Sequence, residues 1–121
     1  MPQNNNQTYD YVCFTDLVYE FDISKKNDIE KKIKRRLKYY KLGAHKQERV
    51  DLIRQFKNDL CSEISLLSKS KYFHKVESAF SELADFDTKQ MTADFHKKFD
   101  SIDKNEMAAM IDFAIYLFYL R

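Results

Sequence analysis

A single glycine, Gly43, and a single proline, Pro2, are all the backbone punctuation that 121 residues contain. Average usage is roughly 7% Gly and 5% Pro, and all-β folds need such residues at nearly every turn. A chain this poor in both must run as helices joined by short links. At this length one domain is expected, large enough to bury a core without disulfide or metal support. The hydrophobic supply is adequate for it: 44% of residues, with ten Phe and eight Tyr but no Trp. The expected fold is all-α, a compact bundle of five to six short helices forming one domain over residues 9–121. The polar stretch MPQNNNQT at residues 1–8 reads as a flexible tail. It carries neither the basic nor the apolar region of a signal peptide.

Periodicity places the helices. Residues 9–21 fit two patterns: Tyr9, Tyr11, Cys13, Leu17, Tyr19 and Phe21 alternate as in a strand, while Tyr11, Phe14, Leu17, Val18 and Phe21 share a helical face. No second strand candidate offers a partner, so helix is preferred. A second helix is expected from Asp28 to Leu42, capped by Asn27 or Asp28, with the stripe Ile29, Ile33, Leu37 and Tyr40 and with Gly43 as its stop. A third, from about Lys46 to Leu67, carries Ile53, Phe56, Leu60, Ile64 and Leu67 at steps of three and four. Tyr72, Phe73, Val76, Phe80 and Leu83 form another stripe. Met91, Phe95, Phe99 and Ile102 follow a cap at Asp87 or Thr88.

The last helix starts at Asp103, with Glu106 three residues on completing a capping box. Its body, MAAMIDFAIYLFYL, contains one charge, Asp112. Fourteen residues span about 21 Å, short of the bilayer core of about 30 Å, so this segment reads as a core helix or a subunit contact rather than a membrane span. A lone carboxylate among apolar residues must be paired, protonated or exposed. Asp112, Tyr116 and Tyr119 are accordingly the candidates for contact with a partner subunit, in a homo- or hetero-oligomer.

The charge is unevenly distributed. Residues 1–24 carry four acids and no base, residues 25–46 ten bases and two acids, and residues 47–121 eleven bases and thirteen acids. The stretch KKIKRRLKYYK, Lys31–Lys41, holds seven cations and no acid. At 100° per residue, Lys31, Lys34, Arg35, Lys38 and Lys41 fall opposite the apolar stripe, and Lys32 and Arg36 flank it. Like charges at these spacings repel by a few tenths of a kcal/mol per pair. An ordinary solvated helix avoids this by interleaving acids, as Glu48, Arg49, Asp51, Arg54, Lys57 and Asp59 do.

Catalytic and metal chemistry find little support. His45, His74 and His96 lack the spacing of a metal site, and the acidic turns DFDTK and DSIDKNE lack the glycine of a calcium loop. With one glycine, no phosphate-cradling loop can form. Cys13 and Cys61 are far apart with no C-x-x-C, and read as buried thiols of a cytoplasmic protein. No catalytic residue and no cofactor is expected. A helix-turn-helix fails because Lys38 and Arg49 would occupy apolar positions.

The sequence thus favours a non-catalytic helical binding protein, an accessory or subunit of a nucleoprotein complex. Lys31, Lys34, Arg35, Lys38 and Lys41 would contact nucleic-acid phosphates without sequence preference, and Tyr39 at the edge would stack on a base. The alternative partner for the same face is an acidic surface, the chain's own or that of a protein bound by an inhibitor or immunity-type protein. The Lys-, Asn- and Ile-rich composition suggests an AT-rich bacterial or phage genome.

Overall fold

The computed structural model describes residues 8–19, 26–73 and 86–120. These form an all-α helical bundle of five helices: α1 (Tyr9–Leu17), α2 (Lys26–Tyr39), α3 (Gln47–Ser65), α4 (Thr88–Lys98) and α5 (Lys104–Ile115). A single 3-10 turn follows α3 at Leu67–Lys69, and a π-helical turn, Tyr116–Leu120, extends α5. The chain divides into two compact units, Met1–Lys57 and Asn58–Arg121. The expected stripe positions Val76, Phe80 and Leu83, and most of the expected N-terminal tail, lie outside the described residues.

In the first unit, residues 9–17 are helical, as expected. Thr8 caps α1 by accepting a hydrogen bond from the Tyr11 amide at 3.3 Å. Val12, Cys13, Phe14, Leu17 and Val18 are all buried, so α1 is covered on most of its circumference, and neither period stands out in its sequence. Phe14 meets Phe56 of α3 with ring centroids 5.6 Å apart. Ile29, Ile33 and Leu37 of α2 and Val50 and Ile53 of α3 complete this core.

The end of α2 differs from the sequence expectation. The helix begins two residues before Asp28, which puts Asn27 and Asp28 in its first turn, and it stops at Tyr39. The stop is made by Lys41, whose φ of 56° is left-handed. The Leu42 amide reaches back to the Leu37 carbonyl at 2.9 Å and the Lys41 amide to the Lys38 carbonyl at 3.2 Å. This pair of bonds is a Schellman motif. Gly43 lies two residues further on, with its own φ of 108°.

In the second unit the caps fall where the sequence puts them. Asp87 accepts from the Gln90 amide and Asp103 from the Glu106 amide, each at 3.1 Å. Leu60, Ile64, Phe86, Met91, Phe99 and Ile102 are buried with Met107, Met110, Ile111, Ala114 and Ile115, so the apolar C-terminal helix packs in the core. Phe73 and Phe86 pair in an isolated antiparallel bridge. Tyr119 stands edge-on to both rings, at 6.0 and 5.2 Å.

A non-glycine residue in the left-handed region is strained by about 1–2 kcal/mol. Lys41→Gly should therefore raise stability by about 1 kcal/mol in urea denaturation. Gly43→Ala should lower it by a similar amount, even though nothing lies within 4 Å of the added Cβ.

Candidate functional site

α2 presents three sides. The first is the apolar stripe Ile29, Ile33 and Leu37, buried in the first unit. Tyr40, expected to continue it, is only half-buried, because the helix has ended by then.

The second is the pair of flanks beside that stripe, which carry ion pairs: Lys32 and Arg36 on one, Glu30 on the other. Arg36 Nη1 donates to Asp16 Oδ1 at 2.6 Å and to Thr15 Oγ1 at 3.2 Å. Lys32 approaches the same carboxylate at 3.6 Å and sits over the Tyr19 ring at 5.8 Å. Asp16 is only 1% exposed, and its Oδ2 has no hydrogen-bond partner among the described residues. Glu30, earlier in α2, joins a cluster with α3 and its leading loop. It accepts from Arg54 at 2.6 Å and from Gln47 at 3.3 Å, and it meets His45 Nε2 at 3.1 Å. Burial pushes the Glu30 carboxyl up, but the hydrogen bonds from Arg54, Gln47 and His45 outweigh it and hold the group below the usual carboxylate range.

The third side is the basic row. Lys31, Lys34, Arg35 and Lys38 are exposed along α2, and Lys41 is exposed in the cap just beyond it. None of the five makes an ion pair among the described residues. Tyr39 is 77% exposed at the end of the row, edge-on to Tyr40 at 5.0 Å. The acids of α1 are occupied elsewhere: Asp16 as above, and Asp10 with Arg49, whose Nε donates at 2.9 Å. Glu20 and Asp22, the remaining acids of the N-terminal segment, lie outside the described residues.

The candidates on α5 separate. Asp112 and Tyr116 are exposed, one turn apart. Partial burial pushes the Asp112 carboxyl up. Asp112 lines an open groove of about 330 Å³ with Lys89 and Lys104. Tyr119 instead belongs to the ring cluster of its own unit. Asp16 carries no motif and gives no local signal in the sequence, because its partners Lys32 and Arg36 are sixteen and twenty residues away. Cys13 is buried, and burial, followed by the nearby Asp10 and Asp16, pushes its thiol up to about 12. Such a thiol is overwhelmingly protonated at neutral pH, the form in which it is a poor nucleophile.

Among the described residues no three His, Cys, Asp or Glu side chains are grouped to hold a metal ion, and no helix is long and apolar enough to cross a membrane. Comparison with protein-family models, with curated proteins and with solved structures finds no match.

A carboxyl whose folded value is depressed contributes stability that is present above its unfolded value, 4.5 for Glu30, and is lost as pH falls through the folded value. The urea midpoint should therefore drop as pH falls below about 4.5. In Glu30→Gln that drop should be smaller, at the cost of a lower midpoint at pH 7.

Proposed function

We propose that the chain is a non-catalytic binding protein that holds nucleic-acid phosphates along the exposed face of α2. The observation that carries this reading is the row Lys31, Lys34, Arg35, Lys38 and Lys41, exposed and without an ion-pair partner among the described residues. Lys32 and Arg36, from the same stretch, are taken up by Asp16. A row of unpaired cations repels itself, and a polyanion relieves that repulsion while releasing its own counterions. Apart from the Arg35 guanidinium, the row consists of lysine point charges, which suit phosphates better than bidentate reading of base edges, so the binding proposed is independent of sequence. Such contacts give affinities of roughly 10⁻⁴ to 10⁻⁶ M at physiological salt, suited to an accessory subunit of a cytoplasmic nucleoprotein assembly.

Titration of labelled DNA and RNA at two salt concentrations tests the reading. Binding at low salt should weaken with a log–log slope of about −3 to −4. The triple charge reversal Lys34→Glu, Arg35→Glu, Lys38→Glu should cost roughly a hundredfold in affinity and flatten the slope. These three side chains are exposed and support no packing, so the fold should survive, as circular dichroism would report. No binding at low salt would end the proposal. A stoichiometric protein partner that survives nuclease treatment and is lost in the triple variant would favour the inhibitor reading in its place.

A further inference from the structure

Beyond the last turn of α2 the chain forms an open pocket of about 350 Å³, lined by Tyr9, Asp10, Leu42, Ala44, Lys46 and Arg49 together with Gly43. It lies within the first unit, and Lys41, the last cation of the row, immediately precedes its wall in sequence. We infer that this pocket takes an unstacked nucleobase from a single strand whose phosphates lie on the row, so that the face prefers single-stranded to double-stranded nucleic acid. The inference rests on the phosphate-binding reading above and adds the form of nucleic acid bound.

Three features of the pocket argue for a neutral flat ring. Its volume is at the lower end of the range for small-molecule sites, about 300–1,000 Å³, which suits one heteroaromatic ring better than a whole cofactor. Leu42, Ala44 and the Tyr9 ring supply apolar and aromatic surface. The charge inside is already compensated: Arg49 donates to both carboxylate oxygens of Asp10. Lys46 also lines the pocket but is exposed, so it can serve a flanking phosphate, while the paired Asp10 and Arg49 leave the rest of the lining without net charge for a base. The cations accessible to phosphate are Lys41, just before the wall, and the exposed Lys46, itself part of the lining, one on each side of the loop that forms the wall.

The wall is held in place. The Tyr9 hydroxyl donates to the Ala44 carbonyl at 3.3 Å and accepts from the Lys46 amide at 2.7 Å. The left-handed Lys41 and Gly43 turn the chain sharply out of α2, and the Leu42 amide is tied back to Leu37. The pocket is thus formed before any ligand arrives, which lowers the ordering cost of binding. Exposed Tyr39 at the end of the row offers a stacking surface for a second base. A duplex presents its phosphates to the row equally well but keeps its bases stacked and out of reach.

The test compares three labelled ligands of equal length by fluorescence anisotropy on the full chain at low salt: a single strand, its duplex, and an abasic deoxyribose-phosphate strand. Base stacking on an aromatic wall predicts binding of the single strand roughly tenfold tighter than the abasic strand, and tighter than the duplex. Ala44→Leu, at an exposed position with no side-chain hydrogen bond, fills the pocket and should bring the single strand down to the abasic level while leaving duplex binding unchanged. Equal affinity for the single and abasic strands, or an undiminished preference in Ala44→Leu, would overturn the inference. If the charge-reversal triple variant still lost binding to all three ligands, the phosphate-binding reading would stand without it. Absence of binding to any of the three would overturn both.

Discussion

The buried contact between Asp16 and Arg36 determines how α2 meets the rest of its unit. Taking a carboxylate out of water costs several kcal/mol unless a cation and hydrogen bonds compensate it. Asp16 is almost wholly buried and one of its oxygens has no partner among the described residues, so its remaining oxygen must be served well. Arg36 serves it at 2.6 Å, with Lys32, one turn earlier, at 3.6 Å. Rotating α2 about its axis would break this pair and leave the charge uncompensated. The rotation of α2 is therefore set on one flank by Asp16 and on the other by Glu30, which binds Arg54 of α3. Once both flanks and the apolar stripe are assigned, Lys31, Lys34, Arg35 and Lys38 have only the outward side left.

That outcome has an energetic consequence. Cations at i, i+3 and i+4 on a solvated helix face repel by a few tenths of a kcal/mol each, and the described structure shows no acid that relieves them. The unit holds α2 in place through its packed and ion-paired sides and tolerates the cost. A bound polyanion removes the repulsion, so ligand binding and the stability of the first unit are thermodynamically linked. An ordinary solvated helix, with acids interleaved as in α3, would gain nothing comparable from a polyanion.

Much of this was legible in the sequence where the signal is local. The scarcity of glycine and proline gave the all-α class. Asp87 and Asp103 cap their helices because a short acidic side chain just before an amphipathic run has an orphan amide within reach. The division of α2 into a stripe, two flanking cations and an outward row followed from the 100° period alone. What the sequence did not disclose depends on contacts distant along the chain. Gly43 is the obvious helix stop, yet the Schellman bonds close two residues earlier and place Lys41 in the left-handed position. Asp112 is the only charge in an apolar run, but the burial of Met107, Met110, Ile111 and Ala114 leaves it on the outer side. Tyr119, one turn from the exposed Tyr116, instead packs against Phe73 and Phe86, which no local pattern announces.

The length of the row limits what it can do alone. From Lys31 to Lys38 the helix rises about 10 Å at 1.5 Å per residue, and one strand of a duplex presents a phosphate about every 3.4 Å. On the proposed reading the helical part of the row would face about three phosphates, and Lys41 would add one more at the cap. Contact with so few phosphates would give weak binding with a salt slope of only about −3 to −4. A second engaged surface, whether a base held beside the row or a neighbouring subunit carrying its own row, multiplies that affinity through effective concentration without any change to the row itself. On the phosphate-binding reading the face on α2 would be a module: it would supply the attraction, and whatever sits next to it would supply the selectivity.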